Sequence, residues 1–106
     1  MDLLTPELRA ELPALYSQDG NRDPMVYAKF FFPAGAWTWF VTEGQPENGG
    51  FLFFGYVIGQ EEEWGYFSLS ELQGISLHGV TVERDLYFEK APFKEAIARF
   101  RKERGD

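Results

Sequence analysis

Residues 26–42 read Val-Tyr-Ala-Lys-Phe-Phe-Phe-Pro-Ala-Gly-Ala-Trp-Thr-Trp-Phe-Val-Thr, and their period decides the fold class. Val26, Ala28, Phe30 and Phe32 alternate with Tyr27, Lys29 and Phe31. Successive side chains of an extended chain point to opposite faces, so a period of two marks a strand. Pro33-Ala34-Gly35 breaks the pattern and reads as a turn. Trp37, Trp39 and Val41 then alternate with Thr38, Phe40 and Thr42, which makes the returning strand of a hairpin.

Working outward, Gly44 to Gly50, with Pro46 and Asn48, reads as a second loop. Phe51 to Ile58 is apolar on both faces and is expected in the centre of the sheet, with Gly55 marking a bulge or a close backbone approach. Gly59 to Glu62 turns the chain, and Glu63 to Phe67 returns as a fourth strand. Ser68 or Ser70 can cap a short helical turn ended by Gly74, and Ser68 precedes Glu71 by three residues, a capping-box spacing. Val80, Val82, Leu86 and Phe88 alternate with polar positions and predict a fifth, half-exposed strand over 80–88. At the N-terminus, Thr5 can cap a helix whose first position suits Pro6 and whose positive end suits Glu7. Leu4, Leu8, Leu12 and Leu15 form its apolar stripe, Pro13 stops it near Leu12, and residues 17–24 form a polar loop. A last helix from about Pro92 to Lys102 presents Phe93, Ile97 and Phe100. The expected fold is α+β: one domain over residues 1–106, a mainly antiparallel sheet of about five strands packed by N- and C-terminal helices.

The chain is 44% hydrophobic and 25% charged, a globular balance, and 18% aromatic, with 11 Phe. It has no cysteine, which removes disulfides, thiolate metal sites and thiol nucleophiles together. No apolar run approaches the ~20 residues that cross a bilayer, so no membrane association is expected. The opening Met-Asp-Leu-Leu-Thr-Pro lacks a basic segment before an apolar one, so the expected location is cytoplasmic. The net charge of −7 is uneven: residues 1–89 carry 4 basic against 14 acidic side chains, whereas residues 90–106 carry 6 against 3. The acidic body repels a phosphate chain and favours a basic protein partner.

Motifs for chemistry are sparse. The single histidine, His78, has only Ser76 as a nearby hydroxyl, and no Gly-x-Ser-x-Gly elbow is present, so His78 reads as an exposed loop residue. Gly49-Gly50 and Gly55 to Gly59 match no phosphate-binding fingerprint. Glu83 and Asp85 share a strand face but are too few for a cation. No catalytic residue, cofactor or metal is therefore expected. Glu61-Glu62-Glu63 followed by Trp64 is the densest acidic run, and on a strand its members alternate faces. With Trp37 and Trp39 it supplies the acidic, aromatic surface expected to meet a partner. The alternative is a single-stranded nucleic-acid module that stacks bases on aromatics and uses Arg99, Arg101, Lys102 and Arg104.

Several stretches carry a family resemblance. They are Leu-Leu-Thr-Pro-Glu-Leu at 3–8, Leu-Pro-Ala-Leu-Tyr at 12–16 and Val-Tyr-Ala-Lys-Phe-Phe at 26–31. Trp-Thr-Trp-Phe at 37–40, Thr-Glu at 42–43 and Leu-Phe-Phe-Gly-Tyr-Val at 52–57 follow. The last are Gly-Tyr-Phe-Ser-Leu-Ser-Glu-Leu at 65–72 and Glu-Arg-Asp-Leu-Tyr-Phe at 83–88. In these, nearly the whole chain resembles the bacterial family Domain of Unknown Function 2958. The resemblance implies an accessory role on plasmids, phages and other mobile elements, in element maintenance, DNA handling or evasion of host defence. It assigns no catalytic residue. The combined expectation is a non-enzymatic interaction domain for a basic protein partner, with monomer and homodimer both open because a free strand edge can pair with a second copy.

Overall fold

The protein is described here by a computed structural model covering residues 1–106. Along the chain lie α1 (Pro6–Glu11), β1 (Met25–Val26), β2 (Ala28–Phe31), β3 (Thr38–Glu47), β4 (Gly50–Ile58), β5 (Glu62–Ser68), α2 (Leu69–Gln73), β6 (Ser76–Leu77), β7 (Val80–Thr81), β8 (Glu83–Arg84), β9 (Ala91–Pro92) and α3 (Phe93–Arg104). The principal sheet has five antiparallel strands in the order β5-β4-β3-β2-β8. Two short ribbons, β1 with β9 and β6 with β7, lie outside it. The fold is thus α+β, as the alternation over 26–42 implies.

The sheet is covered on both faces. Leu3, Leu8 and Leu12 from the N-terminal segment pack with Phe30, Trp39, Val41, Phe53, Phe67 and Leu72 on one face, here the front. Ala96 and Ile97 of α3 pack with Phe40 and Ile58 on the back, joined by Phe93 and Phe100. Both faces of β3 are therefore apolar, and Phe30, Phe40 and Phe53 are wholly buried. Each such ring contributes roughly 1.5–3 kcal/mol on leaving water.

Local signals place the helices. Thr5 Oγ1 accepts a hydrogen bond from the Leu8 N–H at 3.2 Å and Pro6 opens α1. Ser68 Oγ accepts from the Glu71 N–H at 3.1 Å at the start of α2. Helix α3 begins after Pro92, which offers no side-chain cap. Instead Asp23, distant in sequence, accepts the Lys94 N–H at 2.8 Å, placing a carboxylate at the positive helix end.

Three expectations require correction. Residues 44–50 are not a loop: β3 runs to Glu47, and Asn48-Gly49 alone turns the chain, with φ of 50° and 78°. Two left-handed residues match the twist of a tight hairpin, and Asn-Gly is their preferred sequence. Pro46 is tolerated within a strand because this end of β3 pairs with β4 only. Second, no continuous strand spans 80–88. His78-Gly79, also left-handed, folds β6 onto β7, and only Glu83–Arg84 join the sheet. Asp85 Oδ1 then accepts the Tyr87 N–H at 2.9 Å, which ends the extended run and leaves Leu86 in solvent rather than inward, beside the exposed Tyr87. Third, the middle strand is β3, with β4 beside it.

Gly55 fulfils the close approach expected of it. A Cβ there would lie 1.8 Å from the Phe40 carbonyl oxygen, at the bulge where Thr42 is the extra residue between Val41 and Glu43. Gly55→Ala should therefore cost more than about 2 kcal/mol in urea denaturation, as a backbone clash inside a packed sheet. Gly65→Ala, whose Cβ meets open space, should be neutral or slightly stabilising.

Candidate functional site

The front face carries an aromatic hollow flanked by acids. Trp37 leads into β3 with its ring stacked on Trp39 at 6.0 Å and 26°. Gly59 gives it a seat, since a Cβ there would lie 2.4 Å from the indole. Trp39 is buried, at 4% exposure, and belongs to the core, so it supports the site from beneath; Trp37 is 42% exposed. On one side of Trp37 opens a hollow of about 370 Å³ lined by Phe32, Trp37, Trp39, Phe67, Leu72 and Ile75, with Glu71 as its only charged residue. On the other side Trp37 borders a polar hollow with Val57, Gln60, Glu61 and Glu63. Glu61, Glu63 and Glu71 make no ion pair within the chain. An indole face attracts cations, and three unpaired carboxylates add to the same field.

The alternation of strand faces divides the expected surface in two. Trp37, Trp39, Glu61 and Glu63 come together on the front. Glu62 and Trp64 lie on the back, where Trp64 stacks on Phe54 at 6.0 Å and packs against Phe93 at 4.7 Å. Glu62 is already engaged: Oε1 accepts from the Tyr56 hydroxyl at 2.9 Å and from Arg101 Nη2 at 2.8 Å, with Arg104 at 3.9 Å. The Tyr56 hydroxyl and then Arg101 hold the Glu62 carboxyl below its ordinary range. Burial, then the Glu62 contact, pushes the Tyr56 phenol up.

The basic helix is likewise spent on its own chain. Arg101 and Arg104 face Glu62, and Arg104 also pairs with Asp106. Arg99 Nη2 donates to the Glu89 carbonyl at 2.8 Å, and its guanidinium lies over Phe88. Of the four cations considered for a phosphate chain, only Lys102 makes no ion pair or side-chain hydrogen bond. His78 is exposed in its turn, and the Asp85 carboxylate pairs with Lys29 at 3.5 Å.

Sequence reasoning overlooked Glu43, the one buried acid, at 4% exposure. The bulge turns it to the back face beside Phe54. There its oxygens accept the Tyr16 N–H at 2.8 Å and the Gln18 N–H at 2.6 Å, which satisfies the charge and fastens the 16–24 loop. Gln18 completes the clamp by accepting from the Met25 N–H and donating to the Met25 and Thr42 carbonyls. Glu71 was also missed as a site residue, because its capping position gave no sign that α2 would set it beside Trp37.

A family model described as protein of unknown function (DUF2958) matches residues 3–103. The chain belongs to that family. No curated protein and no solved structure matches it. No helix is long and apolar enough to cross a membrane.

Two measurements probe these contacts. Glu43→Gln leaves one backbone N–H without its acceptor and should cost about 1–3 kcal/mol in urea. Glu62 has a lowered folded pKa, so its contribution is complete above the ordinary carboxylate range and is lost as pH falls through the folded value. Glu62→Gln should therefore lower stability at neutral pH, by no more than about 1 kcal/mol for so exposed a pair, and match the parent in acid.

Proposed function

We propose that this family member is a non-catalytic, cytoplasmic interaction domain that captures a basic segment of a protein partner on its front face. One observation carries the reading: Trp37 stands between an apolar hollow and unpaired carboxylates, with Glu71 on one side and Glu61 and Glu63 on the other. An apolar side chain fills the hollow, while a neighbouring Arg lies over the indole and meets the acids. The charge balance of residues 1–89 draws such a segment in at long range. A partner within a nucleic-acid-handling complex has the basic surface that suits this site, in keeping with an accessory role on a mobile element. Single-stranded nucleic acid is the weaker reading, because Arg99, Arg101 and Arg104 already have partners in the chain.

The test is titration of the full chain with a synthetic peptide alternating Arg and Leu, followed by amide chemical shifts and calorimetry. Shifts should concentrate at Trp37, Glu61, Glu63 and Glu71, and binding should weaken with salt. Trp37→Ala should lower affinity about tenfold or more, in the range of an aromatic anchor. Glu61→Gln with Glu63→Gln, both at the surface, should weaken binding and flatten its salt dependence without changing the fold. A peptide that shifts only back-face residues, or that binds these variants as tightly as the parent, would falsify the reading.

A further inference from the structure

The two edges of the principal sheet differ sharply. One ends in β8, two residues long. The other is β5, seven residues paired to β4 in unbroken register from Glu62 to Ser68 and paired to nothing on its outer side. Natural sheets shield long edges with Lys, Pro, bulges or a covering segment. Strand β5 contains no Lys and no Pro and has no bulge, its charged residues are Glu62 and Glu63 at its start, and a Cβ at Gly65 would meet open space on the front face. Trp64 and Tyr66, at 39% and 50% exposure, flank that glycine on the back face.

We propose that β5 pairs with β5 of a second copy, antiparallel and centred on Gly65, forming a twofold dimer with a continuous ten-stranded sheet. The strand's own order selects this partner. Centring on Gly65 sets the two glycines opposite each other, Trp64 opposite Tyr66, Glu63 opposite Phe67 and Glu62 opposite Ser68. All seven positions are paired, no two acids face each other, and the Trp64–Tyr66 pairs fall on one face. Within the chain, Tyr56 opposite Trp64 and Phe54 opposite Tyr66 already show the same kind of aromatic cross-strand pairing on that face. Such pairs contribute to sheet association. Shifting the centre by one residue either way loses pairs at one end. The two Glu62 carboxylates end up six residues apart along the strand, roughly 20 Å, where salt screens them. The pairing consumes both long edges and leaves only the two β8 edges, so assembly closes at two copies rather than growing into a filament. It also brings Glu63 of one copy to Phe67 of the other, a residue that lines the front hollow.

Sedimentation equilibrium of the full chain at micromolar concentrations tests this, together with cysteine cross-linking in a chain that has no cysteine of its own. Twice the chain mass is expected for the parent. Gly65→Lys sets two ammonium groups face to face at the twofold and should give a monomer with an unchanged circular dichroism spectrum. Gly65→Cys should oxidise to a covalent dimer and Ser68→Cys should not, because only residue 65 meets itself. A parent that stays monomeric, or a dimer that survives Gly65→Lys and cross-links through Ser68→Cys instead, overturns the proposal. The peptide titration reads the front hollow separately, so a monomer that binds peptide sinks the dimer and not the binding site.

Discussion

The contact between the Phe40 carbonyl and Gly55 is the constraint on which the rest of the structure depends. Strand β3 carries apolar side chains on both faces and must sit between two layers. At its middle the backbone of β3 presses against β4 so closely that no side chain fits at residue 55. Two residues after Phe40, Thr42 is inserted as a bulge, and its hydroxyl is satisfied by the Phe54 carbonyl at 3.0 Å. The bulge shifts every following residue of β3 by one face. It carries Glu43 to the back and lets Gly44 meet Leu12 and Phe51 at the front.

That shift has consequences for the loop between α1 and β1. Beyond the bulge β3 has lost β2 as a neighbour, and its open side would hold unpaired backbone groups. The segment after α1 fills that side. The Gly44 N–H donates to the Pro13 carbonyl, Gln45 accepts from the Leu15 N–H, and Glu43 accepts from Tyr16 and Gln18. Tyr16 adopts a left-handed backbone, φ 72°, under this restraint. A buried carboxylate is costly alone and economical as an anchor for two amides. Glu43 thus acts on the fold, whereas Glu61, Glu63 and Glu71 remain available at the surface.

The division of charge follows from strand geometry as well. Glu61-Glu62-Glu63 enters β5, and the pleat sends the middle acid to the back. There α3 crosses with Arg101 and Arg104 and neutralises it. The basic C-terminus and part of the acidic run therefore cancel within one molecule. What stays uncompensated beside Trp37 is the acidity of the front face, and the front hollow inherits the attraction for cations.

From the sequence alone came the class of the fold and most of its elements, because period, caps and turns are local properties. The hairpin of residues 28–41, the Thr5 cap, the short helix after Ser68 and the role of Gly55 need only neighbouring residues to be read, whereas Val26 leaves the expected strand and pairs with Ala91 in a separate ribbon. Asn48-Gly49 was equally local, but the surrounding Gly44 and Pro46 obscured it by suggesting a longer loop. The alternation of Glu61, Glu62 and Glu63 was legible too, although which acid would face which partner was not. Tertiary structure alone decided that Trp39 is core and Trp37 surface, that Glu71 joins Trp37, that Arg101 spends its charge on Glu62, and that Glu43 fastens a loop. Each of these depends on which segments meet across the sheet, and those distances are set by packing of the whole chain rather than by any stretch of it.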